Sequence, residues 1–197
     1  MSFDFVALDF ETANANRGSV CQIGIARFLG GQVTKTATLF VTPPPGYETF
    51  SPMNIGIHGI HASDVVGAPG WPEILERLTK FTKDLPLVAH NASVERSVID
   101  QASAAHRITP PPFRYFCTLK LARKVFPAEK THSLGKLTAS LGLPGFAHHD
   151  AGADAIASGR MLLHAATARG ATSFQELSDG WMEKPKAARA PRLAQAA

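Results

Sequence analysis

The sequence predicts an α/β domain: a mixed five-stranded sheet, made of an antiparallel meander plus two further strands, flanked by helices. Three observations carry this expectation. Three strand-like segments come first, the second and third joined by Gly30-Gly31. Helical and strand-like segments then alternate between residues 72 and 126. Glycine, proline or small polar residues bound most of these segments, the usual punctuation between elements.

In order along the chain, residues 3–12 read Phe-Asp-Phe-Val-Ala-Leu-Asp-Phe-Glu-Thr, a strand that starts apolar and ends with two acids, Asp9 and Glu11. Alternation puts both acids on one face with Phe10 on the other, their Cα atoms about 6.5 to 7 Å apart. Such a pair marks either a strand end that has reached solvent or two carboxylates compensated by a cation, since acids are depleted in strands and repel each other on one face. Residues 13–18 form a polar turn, residues 20–29 a second strand, and residues 32–42, rich in Thr and Val, a third that returns after the Gly30-Gly31 hairpin. Residues 43–70, with a triple proline and several glycines, form a loop or short-helix region, and a loop that long points to a function.

Pro72 stands at a first helical position, and Ile74, Leu75, Leu78 and Phe81 follow at helical spacing, so residues 72–83 form an amphipathic helix. Residues 85–89 make a short strand that stops at His90-Asn91. A helix over 92–106 carries Val94, Val98 and Ala102 on one face. Residues 108–112 break it, 113–118 form the last strand and 119–126 another helix. Ser133 caps a helix over 134–141, ended by Gly142. A long helix over 151–169 ends at Gly170, and Ser173 with Glu176 makes a capping-box pattern for one more short helix. From residue 184 the chain is Ala/Pro/Arg-rich without periodicity, which predicts a folded domain over 1–182 and a disordered basic tail over 183–197.

Composition narrows the class further. With 45% hydrophobic and 18% charged residues the chain is an ordinary globular one. It has no apolar run of the roughly 18 to 20 residues that span a membrane and no basic-then-apolar leader, so the cytoplasm is the expected compartment. Cys21 and Cys117 lie in apolar segments, where a buried thiol acts as a small hydrophobe. The net charge is +4, but the tail holds four basic residues against one acid, so basicity alone is weak evidence for a nucleic-acid partner.

Two more acids stand out by position. Glu95 and Asp154 each fall in the first turn of a helix, where the macrodipole already favours them. Asp154 differs in its neighbours. Ala151, Ala157, Ser158 and Met161 share its face, and short side chains there let the helix pack closely and aim the carboxylate inward. An inward carboxylate needs a partner. The nearest basic residue in sequence is Arg17, in a polar loop, whereas hard oxygen donors without sulfur suit magnesium or manganese. His149, five residues before Asp154, is either a base able to accept a proton at neutral pH or half of a solvated pair with His148.

Asp9-Phe10-Glu11-Thr12, His90-Asn91-Ala92-Ser93-Val94-Glu95 and His149-Asp150-Ala151-Gly152-Ala153-Asp154 together resemble the three motifs of the DEDDh, DnaQ-like 3′ to 5′ exonucleases, the family of the polymerase proofreading subunit and ribonuclease T. Cys21-Gln22-Ile23-Gly24, Ile57-His58-Gly59-Ile60 and Ser133-Leu134 resemble it as well, so the likeness covers roughly residues 3–169. The resemblance implies a ribonuclease H-like fold in which Asp9, Glu11, Glu95 and Asp154 hold two divalent cations, Mg2+ or Mn2+, with His149 as general base. It implies hydrolysis of the 3′-terminal phosphodiester of single-stranded DNA or 3′ overhangs to nucleoside 5′-monophosphates, in proofreading or repair. An RNA-trimming exoribonuclease is the alternative within enzymes, and a catalytically impaired scaffold for nucleic acid or polymerase the alternative outside them. The implied partners are a nucleic-acid 3′ end and a DNA polymerase subunit, with no membrane. By the same resemblance the main chain of Phe10, Glu11 and Thr12 cradles the terminal nucleotide, and His58 and Asn91 lie near it; for Asn91 an N-cap role is the competing reading.

The chain departs from that family in its second motif. Glu95 stands where aspartate is usual, and Val94 where phenylalanine is usual. The extra methylene moves the carboxylate about 1.5 Å outward, which matters to an ion demanding near-ideal octahedral geometry. Three outcomes are open: the helix sits back, the site prefers manganese, or the site is impaired.

Overall fold

The computed structural model describes residues 3–182, folded around one five-stranded sheet in the order β3-β2-β1-β4-β5. Strands β1 (Phe5–Thr12), β2 (Val20–Leu29) and β3 (Gln32–Phe40) form the expected antiparallel meander. At the hairpin, Gly30 and Gly31 have φ of 56° and 77°, a conformation that costs glycine nothing and a bulkier residue a good deal. The short strands β4 (Leu87–Ala89) and β5 (Tyr115–Cys117) continue the sheet parallel to β1. Parallel neighbours need a crossover, and the helices α2 (Trp71–Thr82) and α3 (Ala92–Ala105) provide it. Strand β1 thus has an antiparallel partner on one side and a parallel one on the other. Phe5, Val6, Ala7 and Leu8 are all fully buried.

The alternation of β1 divides the molecule into two layers. Val6, Leu8 and Phe10 pack with Ile74, Leu75 and Leu78 of α2 and with Val98, Ile99 and Ala102 of α3. Phe5 and Ala7 pack on the other face, with Leu162, Ala165 and Ala166 of the long helix α6 (Ala151–Arg169) and Leu121 of α4 (Thr118–Val125). Each large side chain buried this way contributes about 2 kcal/mol relative to exposure. Asp9 and Glu11 therefore emerge on the α6 face, at the carboxyl ends of the parallel strands, where open α/β sheets place their ligands.

The elements differ from expectation mainly at their ends. The first strand begins at Phe5, and the strands expected over 85–89 and 113–118 shorten to three residues each, because the crossovers occupy the flanks. The stretch 43–70 contains α1 (Pro52–His58) and a 3₁₀ turn at Ala62–Val65. Ser133 stands at the N-cap of α5 (Leu134–Ser140), but its hydroxyl makes no capping bond and instead lies 3.3 Å from that of Thr131. The capping box at Ser173 does not form a helix. Glu176 accepts from the main-chain N–H of Thr172 (2.6 Å), closing a turn that leads into the 3₁₀ segment Ser178–Gly180. No helix among the described residues is long and apolar enough to cross a membrane. The tail expected over 183–197 lies outside the described residues.

Candidate active site

The site is assembled by the way α6 lands on the sheet. Asp9 pairs with Gly24 across β1 and β2, and Glu11 pairs with Gln22, so all four face α6. A Cβ on Gly24 would stand 2.0 Å from the main-chain carbon and oxygen of Ala151. Only glycine lets the first turn of α6 approach so closely. Gln22 completes the docking, its Oε1 accepting from the buried N–H of Ala151 at 3.0 Å. Asp150 caps the helix by accepting from the N–H of Ala153 at 2.8 Å. Ala151, Ala157, Ser158 and Met161 are buried as their spacing predicts, and Asp154 sits among them with 4% exposure. Oxygens from Asp9, Glu11 and Asp154 lie within 4.8 Å of one another.

Three carboxylates that close are held against their own repulsion. Burial raises the pKa of Asp9 well above its ordinary value, and the charges of Glu95, Asp154 and Glu11 add to it. Burial, then Asp154 and Asp150, push Glu11 to about 8. Among the described residues, no lysine or arginine forms an ion pair with Asp9, Glu11 or Asp154.

Glu95 arrives from the opposite layer. Helix α3 starts at the carboxyl end of β4, and Glu95 shares its buried face with Val98, Ile99 and Ala102. The carboxyl is 5% exposed, and its Oε2 has no hydrogen-bond partner. Burial raises its pKa to about 8, with Arg17 pulling it down. It is the strongest charge acting on Asp9, yet it stands outside the group formed by Asp9, Glu11 and Asp154.

Both histidines ahead of α6 touch Asp154, in different ways. Nδ1 of His148 donates to Asp154 Oδ1 at 2.7 Å, and the main-chain N–H of His149 donates to Asp154 Oδ2 at 2.6 Å. The His149 backbone is left-handed (φ 69°), and its exposed ring stacks on that of His148 with centroids 3.9 Å apart. Burial, then His148, lower the pKa of His149, while Asp154 opposes them. The motif singled out His149. The ring contact of His148 depends on the loop's turn and has no signal in the sequence.

The end of β1 is fastened by α1. The carbonyl of Thr12 accepts from Asn54 Nδ2 (2.8 Å) and from His58 Nε2 (3.1 Å), while His58 Nδ1 accepts from the N–H of Ile60 (3.0 Å). Both ring nitrogens of His58 are thus used inside the protein, and its place in the site is to hold Thr12. Phe10 turns away, its ring 5.9 Å from that of Trp71. Asn91 stands at the N-cap position of α3 with φ 81°, as the competing reading has it, but its side chain makes no capping bond; its Oδ1 accepts from Ser93 Oγ (3.0 Å). His90, which opens the second motif, is a fastener. Its Nε2 donates to the carbonyl of His132 (2.7 Å) and its Nδ1 accepts from Thr118 Oγ1 (2.9 Å), with burial pushing its pKa down to about 4.

The donor set fits divalent cations. Clustered carboxylates, Asp9 and Glu11 among them with raised pKa, a buried carboxyl oxygen without a partner, and no competing lysine or arginine pair among the described residues all call for positive charge from outside the chain.

Comparison with known proteins agrees with this chemistry. The family model described as "Exonuclease", that of ribonuclease T, matches residues 6–162. The chain is 31% identical over 160 residues to the PolC-type DNA polymerase III of Streptococcus thermophilus and 30% identical over 160 residues to that of Streptococcus pneumoniae. In each case the match covers 80% of this chain and 11% of the polymerase. Among solved structures, exonuclease X in complex with 5′ overhanging duplex DNA is 25% identical, with a TM-score of 0.69 over 88% of this chain and 98% of its own. The nuclease domain of 3′hExo, a DEDDh family member bound to rAMP, is 16% identical, with a TM-score of 0.74 over 93% of this chain and 98% of its own, and supports the fold.

Proposed function

This chain belongs to the ribonuclease T family of exonucleases, the DEDDh, DnaQ-like 3′ to 5′ exonucleases that act on nucleic acid with divalent cations, and from that premise we propose that it trims single-stranded DNA, or 3′ overhangs, to nucleoside 5′-monophosphates. The observation that carries the reading is the group of three carboxylates, two from β1 and one from α6, held together with no lysine or arginine ion pair among the described residues. Asp9, Glu11 and Asp154 would hold two divalent cations, with Glu95 reaching in from α3. When bound, such cations activate an attacking water and stabilise charge on the leaving 3′ oxygen.

The chain's own groups do the rest. His149, kept neutral at pH 7 by its lowered pKa, takes the proton of the attacking water on its imidazole, and its main-chain bond to Asp154 keeps it beside the carboxylates. The main chain of Phe10, Glu11 and Thr12, fixed by Asn54 and His58, cradles the terminal nucleoside, with Asn91 at the rim. Because Glu95 stands outside the group of three, the site prefers manganese, whose geometry is less demanding than that of magnesium.

DNA and RNA oligonucleotides of one sequence, labelled at the 5′ end, test this with each ion. A ladder shortening by single nucleotides from the 3′ end, stronger on DNA and with manganese, and absent with chelator or in Asp9→Ala, is expected. Faster trimming of RNA would move the assignment to an exoribonuclease. If neither polymer shortens with either ion, the chain is a scaffold that grips a 3′ end or a polymerase without cutting.

A further inference from the structure

Asp9 and Asp154 share a cavity of about 600 Å³ with Arg123, Lys130, Thr131 and Ser133. Arg123 lies in the last turn of α4, and the other three lie in the segment between α4 and α5. Both basic side chains are exposed, and among the described residues neither forms an ion pair. Neither cation is tied into the fold by an ion pair. Their place in the same cavity gives them a ligand of opposite charge to bind.

The segment that carries Lys130 is fixed in advance. Buried His90 donates to the carbonyl of His132 and accepts from Thr118 (2.7 and 2.9 Å), and Nε2 of His132 lies 3.0 Å from the carbonyl of Phe126. The hydroxyl of Thr131 accepts from the N–H of Ser133 (3.3 Å). Binding a charged ligand there requires little ordering of the main chain.

On the other side of the carboxylates the groups that fasten Thr12 are uncharged, and the charge of Arg17 in the loop beyond acts on Glu95. Asn54 is an amide, and His58 spends both nitrogens inside the protein. A 3′-terminal nucleoside ends in a hydroxyl and brings no phosphate beyond the scissile one, so the uncharged groups at Thr12 suit it. On the 5′ side of the scissile bond each nucleotide brings one more negative charge. The unpaired cations therefore belong under that side of the strand.

We propose that Arg123 and Lys130 bind the phosphodiester backbone of the substrate strand on the 5′ side of the scissile bond, so that the segment between α4 and α5 sets the preference for longer strands. The proposal rests on the exonuclease reading above. It identifies backbone phosphate as the ligand, in a single strand of either sugar.

The test uses the full chain and the double variant Arg123→Gln/Lys130→Gln. Affinity for a fluorescein-labelled single strand is measured by anisotropy across a salt series, with calcium replacing the catalytic ions. Loss of two phosphate contacts makes the slope of log affinity against log salt shallower by about 1.4, at about 0.7 per contact. In kinetics, the preference of kcat/KM for an oligonucleotide over the p-nitrophenyl ester of thymidine 5′-monophosphate, which has no upstream nucleotide, falls by about tenfold, the ~1.4 kcal/mol expected for lost backbone contacts. The charge-conserving pair Arg123→Lys/Lys130→Arg keeps the salt slope, and Lys80→Gln on the remote helix α2 leaves it unchanged. An unaltered slope, or an equal loss on both substrates, overturns the proposal. If the wild-type chain cleaves neither substrate, the exonuclease reading fails, and the salt slope still decides this one.

Discussion

Helices α6 and α3 each deliver an acid from the first turn to the end of β1, from opposite faces of the sheet. On the α6 face, Gly24 and Gln22 bring the helix backbone against β2, and the short aspartate at 154 reaches Asp9 and Glu11 directly. On the α3 face the helix packs through Val98, Ile99 and Ala102 on the layer that turns away from those acids, so its carboxylate must come around the strand end. On the function proposed above, the longer glutamate at 95 offsets that detour in part. Side-chain length and helix stand-off form one quantity, and each helix settles it differently.

The largest expected effect comes from the close helix. Asp154→Asn removes a ligand charge from the group of three and lowers kcat/KM by about 10³-fold, ~4 kcal/mol of barrier, in a single-strand trimming assay with manganese. A loss of tenfold or less would mean that Asp154 is not part of the reacting site. Gly24→Ala attacks the same helix through its docking. The added methyl forces the first turn of α6 outward, costs about 1–3 kcal/mol of stability in a denaturant melt and weakens manganese binding by calorimetry. If affinity is kept while stability falls, the carboxylates do not depend on that approach.

The distant helix responds more mildly. Glu95→Asp restores the residue usual in this family but withdraws the carboxylate about 1.5 Å, and activity falls about tenfold rather than rising, ~1.4 kcal/mol. A gain in activity, above all with magnesium, would show that α3 stands close enough for the shorter acid. A separate effect falls on the fold without cations. Glu11 and Glu95 sit near 8 when folded against an ordinary 4.5, so the folded chain keeps protons that the unfolded chain has lost. The stability that these two carboxyls contribute in chelator is full below about 4.5, declines as pH rises and is lost through 8, and added manganese offsets the loss at the alkaline end. Thermal melts across that range, with chelator and with manganese, measure it; a flat profile in chelator would mean that Glu11 and Glu95 do not hold their protons above the ordinary carboxylate range.

Much of this was legible in the residues. The boundaries of β2 and of α6 coincide with the expected ones, because their apolar patterns are long and their ends carry turn formers. The inward aim of Asp154 followed from the short residues on its face. The short parallel strands were less well bounded, since three buried residues have too little pattern to show an edge. The capping box at Ser173 misled because Thr172, one residue earlier, takes Glu176 into a turn. Arg123 and Lys130 were invisible as a pair, being seven residues apart across a loop with no periodicity.

By itself, then, the sequence determined which residue types stand at each position and the local periodicities that form strands and helices, and these were enough to place Asp9 and Glu11 on one face and Asp154 toward a core. Tertiary structure alone decided what lies across from them. Gly24 meets Ala151, Gln22 holds the helix end, His148 takes the ring contact with Asp154, and Glu95 comes from the opposite layer. Those relations join residues as much as 129 positions apart. No local pattern encodes them, because they depend on which face of the sheet each helix packs against and how near its smallest side chains let it come.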